Sequence, residues 1–291
     1  MQPLSAVVPF LFRGRDFFVK RDDLIDPLLS GNKYRKLYTL IQTPARRYRR
    51  IVSYGGTQSN AMLSIAALCD QKGWDFHYTC KPVPEHLKSS PTGNLKLALG
   101  LGMQLHEVEH KQFDAAIASL GTPTEAATLF VPQGGADPIA QAGINVLARE
   151  IKAWQQAQGI ETLHVVTPSG TGTTAFYLAH ALPDVAVLTT ACVGDRDYLI
   201  RQMRMLGELP RNLRILENEK KHHFARPYAE FLALYRELKE AGIEFDLIYG
   251  ANMWHTLLQN IDAIEGAILY VHSGGLMGNE TMLDRYRHKG L

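Results

Sequence analysis

Short runs of β-branched and apolar residues alternate along this chain with longer segments whose apolar positions recur at helical spacing. RIVSY at 50–54 precedes a segment of helical period over 59–72, and TLFVP at 128–132 precedes another over 138–157. LHVVT at 163–167 leads to 173–182 in the same way, and ILYVH at 268–272 leads to a short C-terminal helix. Strand then helix, repeated, predicts parallel sheets with helical crossovers, and so an α/β fold. Four of these strands run straight into a glycine turn: SYGGTQSN, VPQGGADP, TPSGTGTT and HSGGLMG. Glycine alone does no more than permit a tight strand-to-helix turn. All four turns also carry Ser, Thr, Asn or Gln, however, and ligands of parallel sheets sit beyond the carboxyl ends of the strands. One ligand surrounded by four turns is the expectation.

Composition narrows what that ligand is. With 46% hydrophobic and 21% charged residues over 291 positions, the chain can fill one large or two modest domains. Its 31 basic and 29 acidic residues leave a net charge of +2, too small for a nucleic-acid surface, so a small molecule is the expected partner. No run approaches the roughly 20 apolar residues of a membrane span. The N-terminal apolar patch is interrupted by Pro9 and Arg13 and lacks the flanks of a targeting peptide, which predicts a mature cytoplasmic protein. Cys69, Cys80 and Cys192 are odd in number and widely spaced, as expected of reduced, mostly buried thiols rather than a metal site.

The sharpest local signal is TPSGTGTTAFYLAHAL at 167–182. Consecutive N–H groups from Ser169 to Thr174, with the hydroxyls of Thr171, Thr173 and Thr174, make an anion nest suited to one phosphate. The same stretch, Gly170 to Ala175, also fits the G-x-G-x-x-A dinucleotide pattern, which keeps a nicotinamide-dependent oxidoreductase as a rival. Against that rival, the strand VAVLTTA is followed by Cys192-Val-Gly, and the acid Asp195 comes late. A second signal lies in FFVKRDDLIDPLLSGNKYRKLYTLI at 17–41, where Ser30-Gly31-Asn32 ends a loop and a helix begins near Lys33. Lys33 and Lys36 fall on one face of that helix. Cations at a helix start oppose the macrodipole, so a phosphate and a Schiff-base carbonyl are natural partners for the pair. A neighbouring cation also lowers the pKa of a reactive amine. In SYGGTQSNAMLSIAALCDQKGW, Ser59 and Asn60 open a helix, either as caps or as holders of a substrate carboxylate.

At these residues the chain resembles the fold-type-II pyridoxal-phosphate enzymes, in particular the aminocyclopropane-carboxylate deaminase and D-cysteine desulfhydrase family. The likeness covers almost the whole chain, in order: KRDDL with SGNKYRKL, GGTQSN, VPQGGADPIAQAG, SGTGTT, HFARPYAEF, FDLIYGANM and YVHSGG. It implies two α/β domains with pyridoxal 5′-phosphate in the cleft between them: a large one of 1–45 and 136–291, and a small inserted one of 46–135. It further implies that Lys33 attaches the cofactor and acts in catalysis, and that Lys36 with Gly170, Thr171, Gly172, Thr173 and Thr174 binds the phosphate. By the same likeness Asn60 meets the phenolic oxygen, Ser59 holds the substrate carboxylate, and Tyr249 is the active-site tyrosine. A small amino acid is the implied substrate, with D-cysteine desulfhydrase-like elimination, or aminocyclopropane-carboxylate deamination, as the reaction, and a homodimer is the expected assembly.

Three positions depart from the family pattern. Ala61 stands where relatives carry His or Gln, Gly250 where they carry Glu, Thr or Ser toward the pyridine nitrogen, and Asn252 where Lys is common. Gly250 predicts a weakened electron sink and low turnover. Together with Ala61 it keeps open a second rival, a non-catalytic pyridoxal-phosphate or amino-acid binding protein.

Overall fold

The computed structural model describes residues 4–29, 31–121, 126–133 and 138–291. Its first two strands, β1 (Val7–Phe12) and β2 (Arg15–Lys20), pair antiparallel across the turn at Arg13–Gly14. Helix α1 (Asn32–Gln42) follows, then β3 (Arg50–Tyr54), α2 (Asn60–Lys72) and β4 (Asp75–Cys80). Two short helices, α3 (Glu85–Ser89) and α4 (Gly93–Gly100), precede β5 (Gln104–Glu107), α5 (Phe113–Leu120) and β6 (Thr128–Phe130). The long α6 (Ala140–Ala157) leads to β7 (Leu163–Val166), α7 (Thr173–Ala181), β8 (Ala186–Thr189), α8 (Arg196–Arg204) and β9 (Leu213–Ile215). Helices α9 (Ala229–Glu240) and α10 (Gly250–Gln259), strand β10 (Ala267–Val271) and α11 (Asn279–His288) complete the chain.

The strands form two sheets, and the fold is α/β as expected. One sheet has the order β1-β2-β10-β7-β8-β9 and is parallel apart from the β1–β2 pair. The other, β5-β4-β3-β6, is wholly parallel and uses strands from residues 50–130 alone. Its core is separate too: Ile51, Leu68, Phe76 and Tyr78 pack together, whereas Val165, Leu178, Val187 and Leu269 fill the larger sheet's helix-covered face. Strand β10 reads as an unbroken apolar run because its two faces pack into two different hydrophobic cores. Each buried Val, Leu or Ile there contributes about 1.5–3 kcal/mol. Cys69, Cys80 and Cys192 are buried free thiols.

Three of the four glycine turns sit at carboxyl ends of their strands, between β3 and α2, β7 and α7, and β10 and α11. The fourth follows β6; its Gln133 is described, but residues 134–137 lie outside the described residues.

Candidate active site

Helix α1 begins against the turn after β10. Gly31 has φ +59°, and a Cβ there would lie 1.9 Å from the Ser273 carbonyl oxygen, so no side chain fits at this approach. The contact seats the helix: the Asn32 N–H donates to that same oxygen at 3.1 Å. Ser30, the other half of the loop end, lies outside the described residues. Lys33 thus stands on the first turn, its Nζ donating to Asn32 Oδ1 at 3.1 Å, and Lys36 follows one turn later, buried. Burial lowers the Lys33 amine to about 8, with the Asp246 carboxylate pulling the other way. Lys36 is also lowered well below the ordinary lysine value, by burial first and then by the neighbouring charge of Lys33. Two cations forced this close in the interior call for an anion.

Helix α7 supplies the complementary donors. Gly172, at φ +77° with Met203 Cγ 2.4 Å from where a Cβ would sit, precedes the helix and offers no side chain to cap it. Its first N–H groups therefore have no partner further back in the helix. Thr174 Oγ1 is buried without a hydrogen-bond partner, and the hydroxyls of Thr171 and Thr173 lie 3.0 Å apart. An orphaned buried hydroxyl beside open helix N–H groups, in a molecule that also buries two lysines, fits a phosphate ester.

The third wall comes from α2 and the start of α10. Ser59 caps α2, its Oγ accepting from the Met62 N–H at 3.4 Å. Capping and lining are compatible, because Ser59 also faces the cavity. Asn60 is held by Asn94, whose Nδ2 donates to Asn60 Oδ1 at 2.9 Å. Tyr249 is aimed by a buried carboxylate: Asp246 Oδ1 accepts from the N–H groups of Ile248 at 3.1 Å and Tyr249 at 2.6 Å, and Oδ2 accepts from Gly250 at 2.9 Å. Burial pushes the Tyr249 phenol up, with Cys192 and Asp246 adding to the shift, so it stays protonated.

These elements enclose a cavity of ≈ 460 Å³, within the range of small-ligand sites. Lys33, Lys36, Ser59, Asn60, Gly170, Thr171 and Tyr249 all line it. Gly172, Thr173 and Thr174 stand behind that wall, at the start of α7. Sequence reasoning passed over Ser273, Gln58, Phe224 and Arg285, which also face the cavity. Ser273 had a signal, since it opens the fourth glycine turn. Phe224 fell within the HFARPYAEF stretch that carries the resemblance, whereas Arg285 had no signal, because the C-terminal helix shows no turn pattern.

Comparison with known proteins agrees with this geometry. A family model described as "Pyridoxal-phosphate dependent enzyme" matches residues 8–274. The chain belongs to that family. It is 25% identical to a putative 1-aminocyclopropane-1-carboxylate deaminase of Thermotoga maritima, over 91% of this chain and 90% of that one. It is 26% identical to a D-cysteine desulfhydrase of Serratia proteamaculans, over 94% and 90%, and 27% identical to a nocardicin C-9′ epimerase of Nocardia uniformis, over 94% and 89%. Among solved structures, an ACC deaminase homologue superposes with a TM-score of 0.72 at 22% identity, over 97% of this chain and 93% of the other. That likeness carries the fold. Pyridoxal phosphate is the cofactor of this family, and the nicotinamide reading loses its acid as well: Asp195 is spent capping α8, accepting from the Tyr198 N–H at 2.8 Å.

The Gly250 expectation needs correction. In this pyridoxal-phosphate enzyme Gly250 does not line the cavity, and a Cβ there would sit 3.0 Å from both Asp246 Oδ2 and Phe245 Cβ. A side chain at 250 would press on the carboxylate that aims Tyr249 instead of reaching a ligand. Asn252 is likewise buried away from the cavity, its Oδ1 accepting from Asn218 Nδ2 at 2.9 Å. Ala61, by contrast, does face the cavity. Gly250→Thr is therefore expected to lose about 1–3 kcal/mol of stability by overpacking, with no gain in turnover. Thermal melts and a turnover assay on the same preparation check this, and a faster variant of unchanged stability would restore the original expectation.

Proposed function

We propose that the chain is a pyridoxal-phosphate-dependent lyase or deaminase acting on a small amino acid, most concretely by D-cysteine desulfhydrase-like elimination. Aminocyclopropane-carboxylate deamination is the alternative within the same site. The observation that carries the reading is that Lys33, Lys36 and the Gly170–Thr171 turn leading into α7 line one cavity. The names borne by the relatives from Thermotoga maritima and Serratia proteamaculans supply the reaction class.

In this reading the cofactor lies between a large domain, 1–45 and 136–291, and a small inserted one, 46–135; the separate sheet and core of β3–β6 support that division. Lys33 attaches it, Lys36 and the segment 170–174 hold its phosphate, and Asn60, fixed by Asn94, meets its phenolic oxygen. When bound, pyridoxal phosphate supplies the electron sink for negative charge at the substrate's Cα. The N–H groups at the start of α2, beside Ser59, hold the substrate carboxylate. Lys33, released by the incoming amine, is already positioned to take the Cα proton, and its lowered pKa lets it do so near neutral pH. Tyr249, protonated and packed against Phe224 with ring centroids 5.6 Å apart, assists proton transfer. No helix among the described residues is long and apolar enough to cross a membrane, in keeping with a cytoplasmic enzyme. A homodimer is the assembly we propose.

In elimination from D-cysteine the Cα–H and Cβ–S bonds break to release sulfide, and water then hydrolyses the Cα–N bond of the remaining imine, giving pyruvate and ammonia. Incubating the holoenzyme with D-cysteine and, separately, with aminocyclopropane carboxylate is expected to yield sulfide with pyruvate from the first. Ring opening of the second, read as 2-oxobutyrate, would favour the alternative. Racemisation of amino acids with no keto acid from any of them would overturn the lyase reading.

A further inference from the structure

The cavity wall carries a third cation that neither the cofactor nor the α-carboxylate requires. Arg285, from the last turn of α11, lines the same cavity as Lys33 and Lys36, and among the described lining residues there is no Asp or Glu. Among the described residues its guanidinium makes one hydrogen bond, from Nη1 to the Ala225 carbonyl at 3.1 Å, using one of five donors. Among the described residues it has no carboxylate within ion-pair distance, unlike Arg13, Arg21, Arg35, Arg196 and Arg287, each of which has at least one. Asp284, its neighbour in sequence, pairs with Arg287.

The surroundings reinforce the charge. A depression beside the cavity shares Phe224, Ala225 and Arg285 with it and adds Arg226, His288 and Lys289, again with no acid among its described lining residues. An opening lined by one sign of charge raises the local concentration of opposite charge. A neutral amino acid, zwitterionic and of zero net charge, gains little from such a field. An amino acid with a second acidic group carries a net charge of −1 and gains fully. Guanidinium is also the side chain best matched to a planar carboxylate or a phosphate.

From this we infer that the site selects amino acids bearing a second anionic group, with Arg285 the residue that recognises it. The inference rests on the reading of this cavity as an amino-acid site, and it moves the preferred substrates from D-cysteine and aminocyclopropane carboxylate, which carry no second anionic group, to acidic amino acids. The α-carboxylate remains with the start of α2, on a different element from Arg285.

The test uses the holoenzyme and isosteric pairs: aspartate against asparagine and glutamate against glutamine, in both enantiomers, with alanine as reference. Binding is read as the apparent Kd from the change in the cofactor's visible absorption. The acid of a pair is expected to bind tighter than its amide, on the order of ten- to a hundredfold for a charge-assisted contact, and more so at low salt. Arg285→Ala should bring that ratio close to one, while Arg285→Lys should retain part of it; the visible band reports that each variant still holds the cofactor. Amides binding as tightly as acids would overturn the inference while leaving the amino-acid reading in place. Equal losses for acid and amide in Arg285→Ala would also overturn it, by assigning Arg285 to the α-carboxylate. If no amino acid perturbed the spectrum, the reading of the cavity itself would fall, and this inference with it.

Discussion

Replacing Lys33 with Ala is expected to abolish the borohydride-stable cofactor adduct and to lower turnover by at least the factor of about 10²–10⁴ that a positioned acid–base group contributes. The loss should exceed that of any other single change in the cavity, because one amine both attaches the cofactor and moves the proton. Its pH dependence has a definite sign. An ordinary lysine loses its proton near 10.4; burial brings Lys33 to about 8. Adding pyridoxal phosphate to the cofactor-free protein should therefore give an attachment rate that rises through about pH 8, since it is the neutral amine that reacts. Peptide mapping after reduction places the adduct. An adduct on another lysine, or a rate still climbing at the pH of an ordinary lysine, would remove Lys33 from this role.

How far the site could be read from the sequence differs from one residue to the next, for physical reasons. The β3–α2, β7–α7 and β10–α11 units were legible because each couples an apolar run to a glycine turn and then to a helical period, all within some 25 residues. Helix α1 was legible from its loop end and its paired lysines. The antiparallel β1–β2 pair was not, since Pro9 and Arg13 break the apolar pattern, although Pro9 is tolerated on what is an edge strand. The direction of a side chain at a helix start was not legible either. The resemblance sets Gly250 where a side chain toward the cofactor is expected, yet in this chain its Cβ direction runs to Asp246 and Phe245. Arg285 lies on the exposed side of a helix whose other side buries Met282 and Tyr286, and only the tertiary fold brings it to the cavity wall. The motif KRDDL, noted in the sequence for its resemblance alone, owes its meaning to partners far along the chain.

Those partners lead to the largest expected loss of stability. Arg35 is fully buried one residue before Lys36 and bridges two carboxylates. Its Nε and Nη2 donate to Asp22 at 2.9 and 2.7 Å, and Nη1 and Nη2 to Glu150 of α6 at 3.0 and 2.8 Å. Lys20 completes the set, 2.7 Å from Glu150 and 3.7 Å from Asp22. Two cations thus face two anions with little water, a balance that burial makes costly to disturb. Burial alone would lower Arg35, but its bonds to Asp22 and Glu150 outweigh that and raise it. Burial alone would raise Glu150, but Arg35 and Lys20 hold it below the usual carboxylate value.

Arg35→Met is therefore expected to cost about 3–5 kcal/mol, the usual price of leaving a buried charge unpaired, or roughly 10 °C in Tm. It should weaken cofactor binding as well, because α1 carries Lys33 and Lys36 on either side of this anchor. The pH dependence follows from the depressed carboxyl of Glu150. Its contribution is complete above the unfolded value of about 4.3 and fades as pH falls through the lower folded value, so the gap between variant and wild type should narrow in acid. Adding Glu150→Leu to Arg35→Met leaves Lys20 opposite Asp22 and restores the charge balance, and the double variant should recover part of the loss. Chemical denaturation of the four proteins of this cycle measures the coupling. A single variant as stable as the wild type, or a double variant showing simple additivity, would mean that α1 is held by packing alone and that these charges do not anchor the helix bearing Lys33.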